Sequence, residues 1–256
     1  MPSIPTLHQS YVDASIAQCS SNPLISALLG AGSLIHGGFD AHSDLDFVII
    51  VRDDGFADVM ANRMAIAQEL GPLVSAFTGE HVGEPRLLIC LYGPPLIHID
   101  LKFVTSADLD HAIEHRVLLW AREPEAIAQR LAKAEVAWPN QSPQWFEDRA
   151  WTWLHYGATK MHRGELFEAI GMLGFLREQV LGPMLMRRSG LPQRGVRRIE
   201  SIAKDTLLPT LAGHKAAEVK SALKASAALY IELARDDPPP NPVSAMPQAL
   251  WAFLED

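Results

Sequence analysis

The residues with the clearest chemical content lie in one stretch, Gly32-Ser33-Leu34-Ile35-His36-Gly37-Gly38-Phe39-Asp40-Ala41-His42-Ser43-Asp44-Leu45-Asp46. Gly32-Ser33 follows an apolar run. A residue without a side chain there lets main-chain N–H groups approach an anion, and the neighbouring hydroxyl can donate to it. Gly37 and Gly38 supply a flexible turn. Asp44 and Asp46 stand two apart at the head of a second apolar run, so both carboxylates project from one face of a strand. Two acids so placed repel each other and raise each other's pKa unless a cation lies between them. Mg²⁺ takes hard oxygen ligands and shares them with substrate phosphates, so the pair suits a metal-bound nucleoside triphosphate. A third acid follows on the alternating segment 96–103, where Ile97, Ile99, Leu101 and Phe103 face one way and His98, Asp100 and Lys102 the other. If that strand lies beside the Asp44/Asp46 strand, Asp100 completes a three-carboxylate cluster. It would then bind metal or act as the base that deprotonates an acceptor hydroxyl.

These side chains need strands to hold them, and the surrounding pattern supplies candidates. Residues 7–19 read as an opening helix stopped by Ser20-Ser21-Asn22-Pro23. Apolar runs at 24–29 and 47–51 have the length of buried strands, and 55–70 carries apolar residues at helical spacing before Gly71-Pro72. Further strands are expected at 73–78, 87–92 and 96–104; the tight Gly93-Pro94-Pro95 connection makes the last two antiparallel neighbours. Beyond Thr105 the pattern predicts helices only: 106–115 and 124–136, then long amphipathic segments at 145–162, 165–189, 196–207 and 214–235. The stretch 237–247 is too rich in proline for regular structure, and 249–254 reads as a last helical turn. The expected fold class is α+β, a mixed β-sheet flanked by helices followed by a C-terminal α-helical bundle. The expected divisions are 1–105, a helical connector at 106–143, the bundle at 144–235 and a Pro-rich tail at 236–256.

Composition narrows the function classes. The chain has 256 residues, 48 % apolar and 20 % charged, which fits a globular protein and excludes a disordered or fibrous one. No apolar run approaches the roughly 20 residues that span a bilayer. The first basic residue is Arg52, so no secretory or transit signal is expected, and Cys19 and Cys90 read as reduced, buried thiols of a cytoplasmic protein. A formal net charge of −8 argues against nucleic acid as a partner and mildly favours cationic small molecules. The cluster Arg187, Arg188, Arg194, Arg197 and Arg198 reads first as a solvated connector with helix-end charges and second as a phosphate or RNA contact.

Gly32, Ser33, Gly37, Ser43, Asp44, Asp46 and Asp100 form a recognisable order: Gly-Ser, a glycine four residues after the serine, Ser-Asp-x-Asp, and a third acid on a later strand. This resembles the signature of the DNA polymerase β-like nucleotidyltransferase superfamily. Length and layout are similar to the antibiotic nucleotidyltransferases, the aminoglycoside and lincosamide adenylyltransferases. The likeness covers about the first 105 residues; over the bundle it is looser and rests on residues 160–169. It implies a catalytic nucleotidyltransferase domain at 1–105, Mg²⁺ as cofactor and ATP as co-substrate. AMP would pass to a hydroxyl of a small, cationic, antibiotic-like acceptor with release of pyrophosphate. In that reading Asp44 and Asp46 are metal ligands and Asp100 the third ligand or general base. Gly32, Ser33 and Ser43 contact phosphate or brace the acids, and Lys160 is a candidate triphosphate partner. The acceptor is expected between sheet and bundle, with Glu165 and Glu168 on its amino groups and Tyr156 stacked on it. The plainer readings are that the two acids only favour a helix start and that Tyr156 belongs to the bundle rim. A monomer and a homodimer both fit.

Three rival readings stay open. A nucleotidyltransferase-fold toxin or regulator would act on a protein or RNA, supported by the arginine cluster alone. A nucleotide-binding protein without turnover would keep the same residues. His111-Ala112-Ile113-Glu114-His115 matches the His-x-x-Glu-His pattern of inverted zinc peptidases, provided the segment is helical.

Overall fold

The computed structural model describes residues 4–36 and 39–256, with His36 described by its main chain alone. The chain divides into two units, Met1–Ala137 and Trp138–Asp256. In the first, α1 (Thr6–Ser21) leads to β1 (Ile25–Gly30), the single turn α2 (Ser33–His36) and β2 (Leu45–Val51). Then come α3 (Phe56–Glu69), β3 (Leu73–Gly79), β4 (Glu84–Tyr92) and β5 (Ile97–Thr105). β6 (His111–Ala112), β7 (Val117–Ala121), α4 (Pro124–Lys133) and β8 (Glu135–Val136) complete the unit.

The strands form a mixed sheet in the order β3-β4-β5-β2-β1-β7, in which only the β2–β5 pair is parallel. β2 is central and apolar apart from Asp46, as burial on both faces requires. On one face α1 and α3 bring Tyr11, Val12, Val59 and Ile66 onto Phe47, Ile49, Ile99 and Phe103. On the other, α4 lays Ile127 and Leu131 over Leu29, Val48, Ile50 and Val104. The polar row of β5 belongs to this second face, since it alternates with the residues of the first.

The expectation of helices alone beyond Thr105, and with it of an all-helical connector at 106–143, is corrected here. Ser106–Leu109 is a 3₁₀ turn, β6 pairs in parallel with β8, and β7 joins the sheet beside β1. The reason is local. The run Val117-Leu118-Leu119-Trp120-Ala121 has five residues with no polar position among them, too short for an amphipathic helix and suited to a strand.

The second unit is helical: α5 (Pro143–His162), α6 (Leu166–Leu176), α7 (Gly182–Arg188), α8 (Glu200–Leu207), α9 (Ala216–Asp236) and α10 (Met246–Glu255). A π-helical stretch, Arg177–Leu181, links α6 and α7, so the predicted single helix over 165–189 has a wider turn in its middle. Ser142 caps α5 by accepting from the Trp145 N–H at 3.2 Å. Phe146, Leu154, Leu173, Val180, Leu223, Tyr230 and Leu254 build one core. Among the described residues no helix is long and apolar enough to cross a membrane.

Within that core Glu147 is buried, and its carboxylate collects three donors from separate parts of the unit. Trp151 Nε1 donates at 3.1 Å, the Val243 N–H at 2.6 Å, and the Tyr230 hydroxyl completes the set. The acid thereby ties α5, α9 and the Pro-rich segment together. Glu147→Ala leaves these donors without their acceptor and is expected to destabilise the protein by about 2–3 kcal/mol, and Glu147→Gln by roughly half as much. Denaturant unfolding of the three proteins checks this.

Candidate active site

The parallel pairing of β2 and β5 sets Leu45 against Ile99 and Asp46 against Asp100. Aligned residues of neighbouring strands share a face, so the two carboxylates project together from strands about 4.8 Å apart. Asp44 lies two residues before Asp46, at the entrance to β2. Its charge reaches Asp100: burial first, and then Asp44, hold the Asp100 carboxyl above the ordinary aspartate value, against the opposing pull of His98. His98 Nε2 lies 2.8 Å from Asp100 Oδ1. The condition set by the alternation at 96–103, adjacency to the Asp44/Asp46 strand, is therefore met.

The glycine turn is built onto the same acids. The Ala31 N–H donates to the Asp46 carbonyl at 2.9 Å, continuing the β1–β2 ladder by one residue. The chain then turns at Gly32 with φ of +56°, and a Cβ at this position would overlap Asp46 Oδ2. Both the backbone conformation and the close approach of a carboxylate demand glycine. The Gly32 N–H donates to Glu114 Oε1 at 3.1 Å. Ser43 closes the turn before Asp44: its Oγ accepts from the Asp40 N–H at 2.9 Å, and its carbonyl accepts from His8 Nε2 at 2.8 Å. His8, buried on α1, thus anchors the approach to Asp44. Ser33 begins α2, beside Gly32. Gly37 lies outside the described residues.

The remaining candidates belong to the second unit, where they form one cluster. Lys160 Nζ pairs with Glu165 Oε2 at 2.7 Å and Glu168 Oε2 at 3.0 Å, and lies 5.1 Å from the Tyr156 ring centroid. The Tyr156 hydroxyl donates to Glu168. The hydrogen bonds that Lys160 donates to Glu165 and then to Glu168 hold its ammonium above its ordinary value. Elsewhere in the unit, Arg187 pairs with Asp237 at 2.7 Å and Arg188 with Glu232 at 2.8 Å, which favours the helix-end reading of those two arginines. The zinc-peptidase reading fails on geometry. His111 is in β6 and residues 113–116 are not helical, so the two histidines are not one helical turn apart.

No family model matches the chain, and no curated protein matches its sequence. Among solved structures the chain is similar to an aminoglycoside 6-adenyltransferase from Bacillus subtilis, at 13 % identity and a TM-score of 0.39 over 96 % of this chain and 97 % of that one. The two folds are alike only loosely.

For a metal, the main chain and the side chains give different answers. Asp46 and Asp100 are hard oxygen donors on one face of adjacent strands, and Asp44, just before β2, is close enough for its charge to act on Asp100. Yet among the described residues no three His, Cys, Asp or Glu side chains are arranged to hold an ion as they stand. Asp100 is engaged by His98, and Asp46 is seated on Gly32. Two residues at this site escaped the sequence reading. His98 was visible in the polar row without a role; Glu114 was visible only inside a histidine pattern that pointed to other chemistry.

Because the Asp100 pKa is raised in the folded protein, its ionisation opposes folding. The stabilising effect is present below the unfolded carboxylate value of about 3.9 and lost as pH rises through the folded one. Asp100→Asn is expected to raise the melting temperature at pH 7 and not at pH 3; an equal gain at both would contradict the assignment. Gly32→Ala is expected to cost about 1–2 kcal/mol from φ alone, and more through Asp46, measured by the same melts.

Proposed function

We propose that this chain is a Mg²⁺-dependent nucleotidyltransferase that moves AMP from ATP to a hydroxyl of a small acceptor. The observation that carries the reading is the register of β2 with β5, which places Asp46 opposite Asp100 with Asp44 beside them and the Gly32 turn on the Asp46 carboxylate. The Gly-Ser and Ser-Asp-x-Asp resemblance points the same way.

In this reading Asp44, Asp46 and Asp100 would hold Mg²⁺, which would supply charge neutralisation on the triphosphate. Asp100 gives up its hydrogen bond to His98 to do so. The Gly32 N–H already faces an oxyanion, the Glu114 carboxylate, so the turn is chemically able to receive a phosphate oxygen once Glu114 withdraws. Ser33, at the start of α2, is a second donor. Ser43 acts through the chain, fixing the turn that delivers Asp44. If Asp44 and Asp46 alone hold the metal, Asp100 would instead be the base that takes the proton of the attacking hydroxyl. Attack on the α-phosphorus then forms the new P–O bond while the bond to pyrophosphate breaks. Glu165 and Glu168 would meet amino groups of a cationic acceptor only in exchange for Lys160, which now holds both.

Calorimetry of ATP binding tests the reading, with and without Mg²⁺, on wild type and on Asp44→Asn/Asp46→Asn. Binding that requires Mg²⁺ and falls by about 10²-fold or more in the variant is expected. Binding that ignores the two carboxylates, or none at all, would overturn it. A pyrophosphate-release screen over aminoglycosides, lincosamides and other hydroxyl compounds then identifies the acceptor.

A further inference from the structure

Lys102 stands two residues beyond Asp100 on β5, on the same face. Beside it a cleft of about 370 Å³ opens, bounded by Arg86 of β4, Lys102 and Val104 of β5, Asp108, and the segment between β6 and β7 that carries Arg116. Its charges are unevenly matched. Arg86 Nε and Nη2 donate to the two oxygens of Glu84 at 2.8 and 3.0 Å, and its Nη1 donates to Asp108 Oδ1 at 2.8 Å. Lys102 Nζ lies 2.8 Å from Glu84 Oε2. Arg86 first, with Lys102, brings the Glu84 pKa down to about 2. The other Asp108 oxygen takes the Thr105 N–H at 2.9 Å and the Thr105 hydroxyl at 3.1 Å. Both acids are thus spent on Arg86, Lys102 and a turn.

Arg116 is left over. Its one hydrogen bond among the described residues runs from Nη1 to the Asp108 carbonyl at 3.3 Å, and it makes no ion pair with a described carboxylate. Burial draws its pKa below the ordinary arginine value, and Asp108 and Glu114 oppose this only through space. A half-buried guanidinium whose planar donors are largely unspent is costly unless an anion meets it. The remaining carboxylate of the wall, Glu135, is exposed and lies 3.3 Å from His111.

We propose that this cleft is a binding site for an oxyanion group, phosphate or carboxylate, with Arg116 as its forked anchor and Lys102 as the second charge. The cleft opens on the sheet face that carries Asp100, two residues before Lys102 on the same strand. Two sources share this chemistry, the triphosphate of a nucleotide and an anionic acceptor. The proposal goes beyond the nucleotidyl-transfer reading and does not need it to be correct.

The test is calorimetry with pyrophosphate as the probe, in the presence of a chelator so that no metal bridges it to the aspartates. Wild type is expected to bind; Arg116→Gln to lose at least about tenfold in affinity, and Arg116→Lys to keep part of it. Lys102→Gln is a second variant that leaves Arg116 in place, and it is expected to weaken binding several-fold. Asp44→Asn/Asp46→Asn is expected to bind as well as wild type, which separates this site from the metal-dependent one. No binding by folded wild type, or undiminished binding by both Arg116→Gln and Lys102→Gln, would overturn the proposal. Repeating the titration with saturating Mg·ATP fixes the source. Competition assigns the cleft to the nucleotide's phosphates, and additive binding assigns it to the second substrate. If ATP does not bind at all, the chelator experiment still decides whether the cleft takes an oxyanion.

Discussion

Asp46 and Asp100 stand opposite each other across the one parallel strand pair of the sheet, with Asp44 close enough to act on the second of them. Like charges at a half-buried place oppose folding, and much of the first unit can be read as what makes that arrangement tolerable. The side chain missing from Gly32 leaves room for the Asp46 carboxylate, and His98 donates to Asp100. α4 covers the apolar part of the same sheet face through Leu29, Val48 and Ile50. The acids occupy a part of the sheet where polarity can be kept.

The second unit shows the opposite solution to the same electrostatic problem. Glu147 is more deeply buried than any of the three aspartates, yet donors from α5, α9 and the segment before α10 converge on it. A carboxylate so surrounded is structural, because both of its oxygens are already met by donors from within the unit. Lys160 with Glu165 and Glu168 falls between these extremes. Its charges are matched, but on a partly accessible surface where partners can be exchanged.

Much of this was legible in the residues, and the failures have physical causes. Strands with long apolar runs, β2 above all, declared themselves because burial on both faces leaves little freedom in composition. The strict alternation at 96–103 marked Asp100, since a polar row on a sheet is otherwise hard to account for. The segment 106–115 was misread as helical because a serine start resembles a helix cap, and the strand at 117–121 was missed because the pairing of Val117 with Gly30 joins residues far apart in the chain. Nothing local announces a contact of that range. Glu114 and Arg116 were illegible for the same reason: their partners are the Gly32 N–H and a cleft walled by β4 and β5, neither of which is near them in sequence.

That segment has one more property. β6 is held by β8, and β7 begins at Val117 opposite Gly30, so residues 113–116 alone carry the chain from one pairing to the next. Within that span Glu114 must reach the glycine turn and Arg116 the cleft. Adding or removing a single residue would leave both pairings intact and misdeliver one side chain or the other. Its length is therefore as strict a constraint as the identities of Glu114 and Arg116.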